Sequence, residues 1–355
     1  MKKRYLAFLM SIFMLLNIGC KQAETETIEE TIEVQEEMIE EPKEEIVVIK
    51  EPDEKDIIIS AIGDCTLGTD TNFGYERSLP AVLDSQDRDF GYFFSGVYDI
   101  LSNDDLTIAN LETTFTNATE RAEKTFNFKG DMDYANILTE GSIEVVNLAN
   151  NHTHDYKEKG YFDTIASLNE VGIPYFGYQD YTILNIDGIK IGLAGLPGWN
   201  EETAKAETEK AISYLKEQKA DLIIMTYHWG IEREYKQNTT QENIARHAVE
   251  LGADLVIGHH PHVVQGIECY QGKYIVYSLG NFVFGGNKNP KDKDTMIFRQ
   301  TFHYEDDVLT DTTIEIIPCS LSGKTDSNDY RPVVLEGEQK EKVYEKIMKY
   351  STNIE

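Results

Sequence analysis

The chain has no close pair of cysteines, few basic residues for its length, and no apolar run long enough to cross a membrane comfortably. Its four cysteines are Cys20, Cys65, Cys269 and Cys319. No disulfide framework follows from that spacing, and the cysteine pairs of a structural zinc site are missing. Cys65, Cys269 and Cys319 read as small core residues. Lysine and arginine total 33 against 63 acidic residues, a formal net charge of -30. Such a balance excludes recognition of a phosphate backbone, so no nucleic-acid partner is expected. It also repels an anionic substrate at long range, and bound metal cations would be the natural local correction. The longest apolar run, residues 5–18, falls short of the roughly 20 residues a membrane helix needs. No internal repeat is visible.

What the N-terminus does have is Lys2-Lys3-Arg4, that apolar run, and then Gly19-Cys20, the three parts of a bacterial secretory signal. Leu16-Asn17-Ile18-Gly19-Cys20 resembles a lipobox, which makes residues 1–20 a lipoprotein signal peptide and Cys20 the lipidated residue. Asn17 stands where such a box usually has Leu, which leaves a plain cleaved signal or an uncleaved anchor open. Residues 21–56 carry fifteen acidic residues and four lysines, with Pro42 and Pro52 and no aromatic residue. That composition cannot offset its ordering entropy and predicts an extended, disordered tether. The expected location is the extracytoplasmic face of the cell membrane, held there by lipid.

Short apolar runs that end in polar residues organise the rest. Residues 56–62 lead to Gly63-Asp64, 106–109 to Asn110-Leu111-Glu112, 143–149 to Asn150-Asn151-His152, 222–227 to His228, and 255–257 to Gly258-His259-His260-Pro261-His262. These read as buried strands, each delivering polar groups at its carboxyl end. Helical stretches are expected at 90–101, 157–171, 202–218 and 240–251. For the last, Thr239 with Glu242 has capping-box spacing and Gly252 follows as a stop. Alternation of this kind predicts an α/β architecture, with ligands beyond the carboxyl ends of the strands. After His262, strands at 263–267, 273–278, 296–304 and 312–318 suggest antiparallel sheet. One domain is expected over 57–335, followed by a C-terminal helix or tail over 336–355.

Seven of the eight histidines lie between 152 and 262, three of them within Gly258 to His262. In an extended His-x-His, side chains at i and i+2 point the same way, so His260 and His262 could reach neighbouring metals. Mixed nitrogen and oxygen donors without thiolate favour Mn, Fe or Zn. A lone histidine is more often a satisfied polar residue, but five strand ends bearing such groups at once point to a metal centre. Trp229 and Tyr235 follow His228 and either line a substrate groove or simply pack. Asn281 is placed to orient a ligand histidine from behind.

These clusters carry a resemblance to the CapA family of poly-γ-glutamate capsule synthesis proteins. The pattern is Gly63-Asp64 with Leu67-Gly68, Asn110-Leu111-Glu112, Asn147 to His152 with Asp155, His228-Trp229-Gly230, Gly252 to Val263, and Tyr277 to Phe282. The family in turn resembles the calcineurin-like metallophosphoesterases, which implies a four-layer α/β/β/α sandwich with metal at the strand ends. Carried across, the resemblance makes Asp64, Glu112, Asn151, His228, His260 and His262 the metal ligands of one or two divalent ions. His152 becomes the proton donor, with His259 and Asn281 in support. Thr66 stands where the first phosphoesterase motif has His, and Glu112 replaces a bridging Asp, which leaves a mononuclear site open.

The implied function is synthesis, export or attachment of poly-γ-glutamate or a related anionic envelope polymer, by a metal-dependent hydrolase acting on a phosphoester or an amide. The alternative is a non-catalytic, metal-dependent scaffold for membrane synthase subunits.

Overall fold

Ile57, Ile59 and Ala61 turn to one face of the strand Glu54–Thr66, Ile62 and Cys65 to the other, and all five are buried. A strand apolar on both faces needs cover on both faces. In the computed structural model, which describes residues 53–354, this strand is central to the first of two large sheets. The order there is Val333–Val334, Val308–Ser320, Asp294–Glu305, Glu54–Thr66, Leu106–Leu111, Val145–Asn147 and Tyr175–Phe176. Asn281–Phe284 pairs in parallel with the far end of the central strand. The second sheet runs Ile267–Tyr270, Lys273–Val276, Leu255–His259, Leu222–His228, Ile189–Pro197 and Thr182–Ile186.

Three separate cores fix the layers. Leu79, Leu83, Phe94 and Leu168 on helical segments pack on Ile62, Ala109 and Val146 of the first sheet. Ile59, Ile108 and Val145 meet Leu193, Ile224 and Ile257 between the sheets. Ala204, Leu215, Ile244 and Ala248 of the helices Glu201–Glu217 and Thr239–Glu250 cover Leu196, Met225 and Val256 on the outer face of the second sheet. The result is the four-layer α/β/β/α sandwich, each strand alternating its side chains between two cores.

Several boundaries differ from the sequence expectation. The signal peptide, Cys20 and the tether as far as residue 52 lie outside the described residues. The tether's expected last residues are already strand, because Glu54 to Asp56 pair with Glu305 to His303, and a backbone ladder needs no apolar side chain. The 90–101 helix is a 3-10 turn, Phe90–Phe94, and a short helix, Tyr98–Leu101; Ser95-Gly96 between them are poor helix formers. The 263–267 strand is reduced to an isolated bridge between Val264 and Leu279, and regular pairing starts at Ile267. The capping box falls one residue earlier than Thr239 and Glu242. Asn238 Oδ1 accepts from the Gln241 amide at 2.9 Å, and Gln241 Oε1 accepts from the Asn238 amide at 3.0 Å. The hairpin Thr182–Ile186 and Ile189–Pro197 was not anticipated. The C-terminal helix Gly337–Met348 is no appendage, because Val343 and Ile347 enter the core between the sheets. Among the described residues no helix is long and apolar enough to cross a membrane.

At the amino ends of the strands, Glu144 Oε2 accepts the Thr107 amide at 2.7 Å. Burial, with the Asp104 charge adding to it, pushes this carboxyl from 4.5 up to about 7. Between those values the folded chain holds more protons than the unfolded one, so stability falls as pH rises through the window. Glu144→Gln keeps the acceptor and removes the charge. Its melting temperature should exceed the parent's by roughly 1–3 °C at pH 8 and match it at pH 4; an equal offset at both pH values would refute the assignment.

Candidate metal centre

One row across the first sheet sets the floor of the site, with Asn281, Asp64, Asn110 and Asn147 in register on adjacent parallel strands. The row needs a close approach. A Cβ on Gly63 would lie 2.2 Å from the Gly280 carbonyl oxygen, to which the Asp64 amide donates at 2.9 Å. The side chains then form a relay in which Asn147 Nδ2 donates to Asn110 Oδ1 at 3.0 Å and Asn110 Nδ2 donates to Asp64 Oδ1 at 2.8 Å. Asn150 donates to the Leu111 carbonyl at 2.9 Å and accepts the His152 amide at 3.0 Å, fixing the turn that carries Asn151 and His152. His228 and His259 face each other at the ends of their strands in the second sheet.

All six expected ligands converge. Glu112 Oε1 lies 3.3 Å from His228 Nε2, and Glu112 Oε2 lies 3.9 Å from His262 Nδ1. Asn151 Oδ1 lies 2.8 Å from His228 Nε2. Asp64 Oδ2 lies 3.2 Å from His262 Nδ1 and accepts the His260 amide at 3.2 Å. Donor atoms of Glu112, His260 and His262 all lie within 4.8 Å of one another. The two loop histidines are not extended, as the His-x-His argument assumed. The strand ends at His259, and His260 and His262 have φ of 97° and 58°. This left-handed backbone, which costs on the order of 1–3 kcal/mol per residue, turns both rings toward Glu112, with centroids 5.6 Å apart.

The donor set fits a divalent cation. Both oxygens of the wholly buried Glu112, both ring nitrogens of His259 and Nδ1 of His260 are buried without a hydrogen-bond partner. An unmade bond of this kind costs about 1–3 kcal/mol, more for a charged group. Burial, and then the Asp64 charge, hold the Glu112 carboxyl well above its ordinary range. Burial would raise Asp64 too, but His259 and His262 hold it well below the usual carboxylate range. Burial keeps His228 neutral and lowers His260 to about 4, leaving lone pairs to offer. His262 is the exception. Against the effect of burial, Glu112 and Asp64 raise it to about 10, so binding a cation through this ring would displace its proton.

His259 stands behind Asp64, Nδ1 to Oδ1 at 3.3 Å. Asn281 Oδ1 lies 2.9 Å from His262 Nδ1, the supporting position expected for it. His152 Nδ1 lies 2.7 Å from Asp155 Oδ2, and its Nε2 lies 4.0 Å from Glu112 Oε1. Burial lowers the His152 pKa against the pull of Asp155. Asp155 is itself wholly buried and also accepts from Lys124 Nζ at 2.6 Å and the Phe128 amide at 2.5 Å.

Trp229 is not at the site. It is wholly buried in the outer core, stacked on Tyr227 at 4.8 Å, with Nε1 donating to the Tyr277 carbonyl at 2.9 Å; the strand's alternation sends His228 inward and Trp229 outward. The indole at the site is Trp199, 49% exposed, edge-on to His260 at 4.6 Å and His228 at 5.6 Å. It follows the unread strand Ile189–Pro197, whose apolar run ending in Gly198-Trp199-Asn200 was the available signal. Tyr235 does line a cavity of about 430 Å³ beside the site, with His152, His262, Phe128 and Phe284. Cys65 and Cys319 are buried core thiols, while Cys269 is half-buried.

Added Mn²⁺ or Zn²⁺ at 100 times its dissociation constant should stabilise the folded chain by about 2.7 kcal/mol, visible as a thermal shift. Glu112→Gln should abolish that shift while leaving the metal-free protein at least as stable as the parent. A shift that survives the substitution would place the ion elsewhere.

Residues 58–286 match the family described as bacterial capsule synthesis protein PGA_cap. The capsule biosynthesis protein CapA of Bacillus anthracis is 27% identical over 305 residues, covering 78% of this chain and 71% of that relative. The PGA biosynthesis protein CapA of Bacillus subtilis (strain 168) is 30% identical over 253 residues, 64% of each. Among solved structures, a phosphatase from Mycoplasma pneumoniae is 12% identical, with a TM-score of 0.45 over 74% of this chain and 94% of its own. The family match takes in every strand end that carries a donor, from Asp64 to His262, and the chain belongs to the PGA_cap family of bacterial capsule synthesis proteins.

Proposed function

We propose that the chain is a metal-dependent hydrolase of an anionic envelope polymer, poly-γ-glutamate or a close relative, acting in its synthesis, export or attachment at the outer face of the cell membrane. The observation that carries this reading is the convergence of Glu112, His260 and His262, whose donor atoms lie within 4.8 Å of one another, with both Glu112 oxygens and His260 Nδ1 buried and without a hydrogen-bond partner. Asp64, Glu112, Asn151, His228, His260 and His262 are the residues to hold one or two ions of Mn, Fe or Zn. Bound there, such an ion supplies Lewis acidity and an acidified water at neutral pH.

The chain's own residues do the rest. Asp155 accepts from Nδ1 of His152 and so directs Nε2 into the site, the arrangement needed to take a proton from the adding water and pass it to the leaving amine or alkoxide. The Asn147, Asn110 and Asp64 relay holds the floor rigid. Trp199 covers His228 and His260 from the solvent side, and Phe128 and Phe284 keep the neighbouring cavity apolar on one wall.

One observation favours a second reading, a scaffold that binds polymer and synthase subunits without turnover. Thr66 occupies the place of the first-motif histidine, and its buried hydroxyl has no partner, a weak donor where an imidazole would bind metal well.

Purified chain loaded with Mn²⁺ or Zn²⁺ should cleave γ-glutamyl oligomers or a phosphodiester. Asp155→Asn should lower kcat by about 10²- to 10⁴-fold with little change in KM. Turnover absent in the parent, with metal and polymer both bound, would leave the scaffold reading. Separately, Cys20→Ser should move the protein from the membrane fraction to the supernatant; retention in the membrane would refute lipid anchoring through that residue.

A further inference from the structure

Tyr235, Lys291 and Asp292 line the cavity beside the metal centre and also a larger groove of about 690 Å³. The groove lies between the segment around Lys291 to Asp294, the turn around Ser322 to Thr325, and the helix Gly337–Met348. Lys291, Lys293, Lys324, Lys342 and Lys346 line it against only Asp292 and Asp294. One lysine takes both carboxylates, since Lys346 Nζ lies 2.8 Å from Asp292 and 2.7 Å from Asp294. Lys293 Nζ bonds neutral oxygens alone, Asn289 Oδ1 at 3.0 Å and the carbonyls of Lys324 and Thr325 at 3.1 and 2.8 Å. Lys291 and Lys324 are exposed and without an ion pair among the described residues. Lys342 has Glu338 at 3.7 Å, both largely exposed.

A chain of net charge -30 has carboxylates to spare for its surface cations, yet here cations outnumber them. Gathered like charges repel one another, so the groove gains when an anion enters and it focuses anions toward the cavity that follows. The number of cations lining it decides the kind of anion. Past the groove Lys349 lies beside Tyr350, with Glu345 on the same wall, and at the other end the cavity carries Arg233 next to Glu232, the guanidinium without an ion pair among the described residues. A single carboxylate or phosphate would use one or two of these groups, whereas a chain of closely spaced negative charges would use them all.

We infer that this groove holds an extended polyanion and leads it to the metal centre. On the reading above, that polyanion is the carboxylate polymer. The full chain should bind labelled poly-γ-glutamate in fluorescence anisotropy, more weakly as salt rises. The triple variant Lys291→Gln, Lys324→Gln, Lys342→Gln should bind at least tenfold more weakly with an unchanged melting temperature, because all three side chains are exposed. A control lacking three exposed lysines on other faces, Lys159→Gln, Lys210→Gln, Lys219→Gln, should keep its affinity. Equal loss in both variants would reduce the effect to bulk charge and overturn the inference, as would binding indifferent to the groove or no binding of any polyanion. If poly-γ-glutamate failed to bind but polyphosphate bound in a groove-dependent manner, the groove would stand and the polymer proposed as substrate would fall.

Discussion

Asp64 and Glu112 are both wholly buried at the carboxyl ends of neighbouring parallel strands, and the fold treats them in opposite ways. Asp64 is surrounded by an amide, a backbone N–H and two imidazoles. The Glu112 carboxylate accepts no hydrogen bond. Placing a second carboxylate next to a satisfied one raises the cost of ionising it, and water cannot relieve that cost in a buried site. The remaining geometry answers this imbalance. The glycine at 63 admits the Gly280 carbonyl, the left-handed backbone at His260 and His262 brings imidazoles over the carboxylate, and the sheets contribute donors from opposite sides of one cleft. Strain of this kind persists only where the surrounding structure over-determines it, and here two sheets and three cores do so.

How much of this the sequence disclosed follows from which physical rule each element obeys. Buried parallel strands are continuous apolar runs with abrupt polar ends, so the strand ends bearing Asp64, Glu112, His228 and His260 were legible one by one. The alternation that makes strands readable also separates Tyr227 and Trp229 as core from His228 as donor, and carried one residue past the strand it selects packing over groove lining for Trp229. The His260 and His262 turn could not be read. Nothing local in His-His-Pro-His marks a positive φ for histidine; the tertiary contact of the His260 amide with Asp64 imposes it. The capping error has a similar origin. Asn238 and Thr239 are both good caps, and only the reciprocal bond from Gln241, itself buried against Gln265, selects the earlier one.

Asp155 shows a different limit. It lies three residues beyond His152, within the same motif, yet its role comes from what it touches. One carboxylate accepts from an imidazole, a lysine and a backbone amide at once. Three donors on one buried acid fix its orientation and hold the imidazole in one tautomer. His152 therefore presents the same nitrogen to the site, which an unsupported histidine on a turn would not do.

The charge distribution ties the site to its surroundings. A strongly acidic chain presents a barrier to an anionic substrate that a buried metal site cannot remove by itself, because a cation surrounded by two carboxylates and several imidazoles is largely neutralised at a distance. Attraction must come from groups outside the centre whose charge is not already spent on a neighbour. Lys124 and Arg121, close to the site, are held by Asp155 and Asp70. Lys291, Lys324 and Arg233 are not so held, and they line the surface groove and the adjoining cavity that reaches His262. The same sequence therefore separates two electrostatic tasks. Buried acids concentrate negative charge where a cation is wanted, and exposed lysines freed from acids concentrate positive charge where a polyanion would approach.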